Sequence, residues 1–157
     1  MMKNLFISVV LILPALFLLG QAKFSDNQSD YIELVKKVTE NKEIEIKDIN
    51  GFRVAELYTD TDSVYYFFQT NDIVNVDGYQ GHTNLGVIIN KSGMIKSVEI
   101  LESEDSRFFV RKIENSGFFD QFINKKKIER IRTVTGATIT SKAITKSVRA
   151  CMEMLFN

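Results

Sequence analysis

The chain has 157 residues, with 20 basic and 20 acidic side chains and a net charge of +0. That balance excludes nucleic acid as the main partner, because binding a phosphate backbone needs a basic excess or a basic stripe. A single cysteine excludes an internal disulfide, and the lack of any CxxC or His cluster argues against iron–sulfur, haem and structural zinc sites.

Residues 1–22 read as an export segment rather than as part of a fold. Lys3 supplies the positive start, and Leu5 to Leu19 is an apolar run broken only by Ser8 and Pro14. Gly20-Gln21-Ala22 then offers the small residues of a cleavage site. The run suits a signal peptide and is short for a spanning helix. Two forms stay open, a cleaved signal peptide and a signal anchor held in the membrane by residues 5–19. Either places the rest of the chain across the cytoplasmic membrane, periplasmic or on that membrane's outer face, because Lys3 stays inside. No cysteine follows the run, which leaves no lipoprotein anchor.

Residues 23–43 read as a linker and an N-terminal helix, and 44–157 as the principal domain. Ser29 or Asp30 is a candidate cap for a helix reaching about Asn41, with Ile32, Leu34, Val35 and Val38 on its apolar side. Glu43 to Ile49 alternates charged residues with Ile, the pattern of a half-buried strand. Phe52 to Tyr58 and Ser63 to Thr70 predict two more strands joined through Thr59-Asp60-Thr61-Asp62. The run Val64 to Phe68 is β-rich and mostly apolar, so the second of these is expected in the centre of the sheet. Asn71 to Thr83 reads as a loop, and His82 within it as a surface residue. Asn84 to Asn90 and Met94 to Leu101 predict a hairpin over Lys91-Ser92-Gly93. Ser106 to Asn115 and Phe118 to Ile123 are short helical candidates. Ile144, Val148, Cys151, Met152 and Leu155 recur at helical spacing and mark the buried face of a last helix, where Cys151 packs as a small hydrophobe. This order predicts an α+β fold, an antiparallel sheet with helices packed on it, preceded by the signal or anchor segment.

Just ahead of the last helix stands Thr135-Gly136-Ala137-Thr138-Ile139-Thr140-Ser141, four hydroxyls around one glycine. Two readings fit. Thr, Ser and Gly are ordinary capping and turn residues. A helix start also presents unpaired N–H groups and the positive end of the helix dipole, which favour a phosphate. Gly136 admits backbone angles closed to other residues and a close approach by a ligand. The basic run Lys125-Lys126-Lys127, near Arg130 and Arg132, reads chiefly as a solvated loop; a flavin phosphate, a membrane surface and a partner's acidic patch are the other readings.

For the hydroxyl cluster the order of residues shifts the balance toward the phosphate, and both roles can hold together. The chain resembles the bacterial FMN-binding domain family, which includes the covalently flavinylated subunits of the Rnf complex and of the sodium-translocating NADH:quinone reductase. The signature Ser/Thr-Gly-Ala-Thr-x-Thr-Ser is matched by Thr135 to Ser141 and continued by Lys142-Ala143-Ile144. An upstream Gly-Tyr-x-Gly is matched by Gly78-Tyr79-Gln80-Gly81, an acidic segment by Glu102 to Ser106, and Phe-x-x-Gln-Phe by Phe118-Phe119-Asp120-Gln121-Phe122. The likeness runs from about Ile44 to Leu155. Two departures stand out. Arg132 occupies the place six residues before the flavin-bearing Thr where the family usually has Asp. Glu104-Asp105-Ser106-Arg107 replaces a glycine-containing Glu-Thr-Pro-Gly-x-Gly, which implies a differently shaped flavin-facing loop.

The resemblance implies FMN joined through a phosphodiester to Thr138, delivered from FAD by a separate Mg-dependent flavin transferase. It implies that Thr135, Gly136, Ala137, Thr140 and Ser141 surround the phosphate, the hydroxyls donating to its oxygens. Gly78, Tyr79 and Gly81 are candidates to line the flavin ring, with Glu104 as a further candidate. No catalytic acid/base pair, metal set or Gly-x-Gly-x-x-Gly strand–helix unit is visible. The expected role is therefore that of an exported electron carrier, partnered by the transferase and by membrane or extracytoplasmic redox proteins, more than a stand-alone enzyme. The alternative is an exported binding or adaptor module of the same fold that has lost flavin, which Arg132 and the altered acidic loop favour.

Overall fold

A computed structural model describes residues 28–39, 43–59 and 64–156. The export segment, the linker before Gln28, the predicted helix end at residues 40–42, residues 60–63 with the predicted strand start at Ser63, and residue 157 lie outside the described residues. The architecture is α+β: a five-stranded antiparallel sheet with helices on both faces.

The strands are β1 (Glu43–Ile49), β2 (Phe52–Tyr58), β3 (Val64–Gln69), β4 (Thr83–Asn90) and β5 (Ile95–Ser103). They form a meander in which each strand pairs with the next, so β3 is central, as its apolar run predicts. Asn50 and Gly51, at φ 55° and 84°, make the β1–β2 turn. Positive φ at both positions is the demand of a tight turn that follows the strands' twist. Asn50 has a second role, because its Nδ2 donates to the carbonyls of Met154 (3.3 Å) and Leu155 (3.2 Å) at the end of the last helix. Those are carbonyls that the helix itself leaves unpaired. At the β4–β5 turn the Asn90 side-chain oxygen accepts from the Ser92 and Met94 amides at 3.1 and 2.9 Å.

Alternation along the strands sends side chains to two cores. Ala55, Leu57 and Phe67 meet Tyr31 and Val35 of helix α1 (Gln28–Thr39) on one face. α1 begins at Gln28, so Ser29 and Asp30 lie within its first turn rather than ahead of it. Tyr31 matters as much as the aliphatic residues beside it. Its ring lies 5.9 Å from that of Phe67, its hydroxyl donates to the Phe67 carbonyl, and Arg53 stacks 4.3 Å over it while forking onto Asp72.

The larger core lies on the other face. Val54, Phe68, Leu85, Val87, Ile89, Ile95 and Val98 of the sheet pack against α2 (Arg107–Glu114), the turn Phe119–Gln121 and α3 (Thr138–Phe156). α3 contributes Ile144, Val148, Cys151, Met152 and Leu155, the residues its periodicity marks. Each fully buried side chain of this kind stabilises the fold by roughly 1.5–3 kcal/mol. Residues 124–137 cross from the helical turn to α3, held at their start by backbone bonds of Asn124 and Lys125 to Ile95 of β5 and beyond that by side chains. Arg149 donates to the carbonyls of Ile128 and Glu129, and Gln121 both donates to the Arg132 carbonyl (3.0 Å) and accepts from its amide (2.9 Å). This path delivers the hydroxyl-rich turn to the edge of the main core.

Candidate functional site

The turn into α3 sorts its four hydroxyls into two pairs. Ser141 is buried; its Oγ donates to the Ala137 carbonyl (2.7 Å) and accepts from the Val134 amide (3.1 Å). Thr140 is buried too, and its Oγ1 donates to Asp105 Oδ2 at 2.6 Å. These two protons are therefore used within the fold and not held out for a phosphate. Thr135 and Thr138 are exposed, and neither hydroxyl meets a protein partner among the described residues. Thr138 is the first residue of α3, where N–H groups have no carbonyl of the preceding turn to bind. Ala137 is buried against the core, which fixes the turn from below.

Gly136 sits at φ +78°, a conformation costly for a residue with a Cβ. A Cβ there would also come 2.5 Å from the Lys112 ammonium of α2. The backbone angle is what requires glycine; the ammonium, at the end of a flexible side chain, shows how closely a cation approaches the motif.

The Gly78-Tyr79-Gln80-Gly81 loop is brought to this turn by one residue that the sequence did not single out. Asp105, 5 % exposed, accepts from the amides of Tyr79 (3.2 Å) and Gln80 (2.6 Å) as well as from Thr140. Its carboxylate bolts the loop to the first turn of α3. A negative charge there also suits the positive end of the helix dipole. The two loop glycines make room for acids: a Cβ at Gly78 would collide with Asp105 Oδ2, and one at Gly81 with Glu104. Glu104 in turn accepts from the His82 amide at 3.2 Å. His82 is partly buried and linked to Asn71 through its ring, a loop-bracing position rather than a freely exposed one.

The result is a cavity of about 310 Å³ walled by Tyr79, Phe109 and Gly136 to Thr140. Tyr79 is 58 % exposed and meets Phe109 edge-on at 5.3 Å. Ile139 is 53 % exposed on the other side of Thr138 in sequence. The structure thus gathers Tyr79, Gly136, Ala137, Thr138 and Thr140 at one place. Gly78, Gly81, Glu104 and Ser141 stand outside the cavity wall and shape it from behind. An exposed hydroxyl without a partner, beside a cavity edged by two aromatic rings, fits a phosphate-linked planar ring system.

Beside this cavity a larger open cleft of about 890 Å³ runs between α2 and Val134-Thr135, lined by Arg107, Phe108, Arg111 and Lys112. Sequence reading passed over these cations and considered Lys125 to Lys127 instead. Lys126 and Lys127 lie by Arg149 and Met152, some eleven or more residues along α3 from Thr138, about 16 Å away at the helical rise. That distance removes the lysine run from the site. Among the described residues no group of His, Cys, Asp and Glu could hold a metal ion, and no helix is long and apolar enough to cross a membrane.

Fold and site define a small α+β domain with two exposed threonine hydroxyls, Thr135 and Thr138, at the start of its last helix. Residues 78–153 match the family model described as FMN-binding domain, a span running from the Gly-Tyr-x-Gly loop through most of α3. Over this segment the chain is similar to that family. No curated protein matches the chain.

Proposed function

We propose that the protein is an extracytoplasmic electron carrier with FMN joined through a phosphodiester to Thr138. The observation that carries this reading is the sorting of hydroxyls: Thr140 and Ser141 are internally bonded, and Thr138 stands exposed and unpartnered beside an aromatic-edged cavity. A neutral hydroxyl is a weak nucleophile, so attachment is assigned to a separate Mg-dependent flavin transferase using FAD. Thr138 needs only to be reachable and held in one place, which Ala137 and the Asp105–Thr140 bond provide. The flavin, when bound, supplies one- and two-electron chemistry. Tyr79, Phe109 and Ile139 would cover part of its ring, and the open side of the cavity would leave the remainder accessible to redox partners. A tether suits an exported protein, since a lost flavin is not readily replaced outside the cytoplasm. The apolar segment 5–19 supports export, with the domain periplasmic or anchored to the membrane's outer face.

The test is co-expression with a flavin transferase followed by in-gel flavin fluorescence and intact mass. Wild type should fluoresce and gain the mass of FMN, and Thr138→Val should do neither. Full fluorescence in the valine variant would overturn the attachment site. Arg132 favours the second reading, a flavin-free binding module, and a native cell-envelope protein without the mass gain would establish it.

A further inference from the structure

We propose that the cleft between α2 and Val134-Thr135 is an anion site in which Lys112, backed by Arg111 and Arg107, takes the phosphate of the flavin group at Thr138. This inference rests on the proposed function. Three cations line one wall, and no acidic residue lines any part of the cleft. None of the three has an ion-pair or side-chain hydrogen-bond partner among the described residues, whereas Lys47 and Arg53 elsewhere are each paired. Three unpaired like charges spaced over little more than one helical turn repel one another. Such an arrangement is relieved by a bound anion. Lys112 is placed where the two cavities meet: its Nζ sits 2.5 Å from the position a Cβ would take on Gly136, two residues from Thr138. The ammonium also lies 5.6 Å from the ring of Phe108, which is 67 % exposed. The absent side chain at Gly136 is what lets the ammonium reach the motif backbone. Thr135, with its free hydroxyl, and Asn115 complete the polar wall. The ligand chemistry is a phosphate monoester or diester, and a free phosphate ion is the other source of the same chemistry.

The experiment is a titration of unloaded protein, followed by amide nuclear magnetic resonance at fixed ionic strength, with sodium phosphate, FMN and riboflavin in turn. Phosphate should shift the amides of Lys112, Thr135 and Gly136 saturably. Lys112→Gln should weaken that binding about fivefold, the upper end for an exposed charge pair, with the spectrum elsewhere unchanged. FMN should move the same amides together with those of Tyr79 and Ile139, and riboflavin only the latter. A linear drift with phosphate, or a Lys112→Gln variant that titrates like wild type, would overturn the site. Saturation by phosphate that FMN does not displace would overturn its assignment to the flavin. Flavin loading at Thr138 is scored separately by mass. Loading without phosphate saturation refutes this inference alone, and saturation without loading refutes the covalent reading alone.

Discussion

Asp105→Ala tests whether one buried carboxylate couples the Gly-Tyr-x-Gly loop to the threonine turn. The substitution removes three acceptor bonds, from the Tyr79 amide at 3.2 Å, the Gln80 amide at 2.6 Å and the Thr140 hydroxyl at 2.6 Å. A hydrogen bond to a charged group contributes roughly 1.5–3 kcal/mol. Tyr79 and Gln80 are exposed residues whose amides can recover water, and removing a buried charge returns some desolvation energy. Thr140 is 1 % exposed, so its hydroxyl recovers nothing without rearrangement. The expected net loss is about 3 kcal/mol, or a fall in Tm on the order of 10 °C for a domain of this size. Thr140→Val removes one of the three bonds and should cost about 1–2 kcal/mol. Because both changes delete the same bond, the double variant should be more stable than additivity predicts, by about 1–2 kcal/mol. Urea unfolding gives the free energies, and hydrogen exchange at the Gln80 amide reports the loop directly. An Asp105→Ala variant within about 0.5 kcal/mol of wild type, or one in which Gln80 stays protected, would refute the coupling.

Gly78→Ala should displace the same carboxylate, since its Cβ would collide with Asp105 Oδ2; it should cost about 1–3 kcal/mol and cost less in the Asp105→Ala background, as urea unfolding will read. Arg132→Asp should leave stability within about 0.5 kcal/mol, because Gln121 holds only the backbone of residue 132 and the side chain is exposed, while the mass-resolved flavinylated fraction should rise. Lys47 and the Tyr58 hydroxyl hold the Glu56 carboxyl below its usual range, so its stabilisation is complete at neutral pH and is lost as pH falls through that lowered value. The difference in Tm between wild type and Glu56→Gln should therefore shrink on acidification below the usual carboxylate range and not on moving from pH 6 to 8. Burial pushes the Cys151 thiol up to about 12, so a thiol reagent at pH 8 should label it only after unfolding.

Local pattern carried most of the fold. Two-residue alternation in Glu43–Ile49 and the unbroken apolar run of β3 are consequences of which sheet faces are covered, and both are visible without a structure. The same holds for α3, whose buried residues repeat at helical spacing. The threonine turn was legible because its residue types answer local demands: positive φ at Gly136 and small, hydroxylated neighbours at a helix start. Its division of labour was not legible. Thr135, Thr138, Thr140 and Ser141 look equivalent in sequence, and only the approach of Asp105 and the path of Val134 separate two bonded hydroxyls from two free ones. Asp105 itself stands beside Glu104 in a short acidic run, with nothing in the chain to say which carboxylate turns inward. The packing of β5 and α2 against the loop decides that, because burial of a charge is set by groups 25 and 35 residues away. The cations by the motif were hidden for the same reason. Lys125 to Lys127 are nearer in sequence, yet the crossing segment carries them along α3 away from Thr138, while Lys112 arrives from a separate helix across the open face of a glycine.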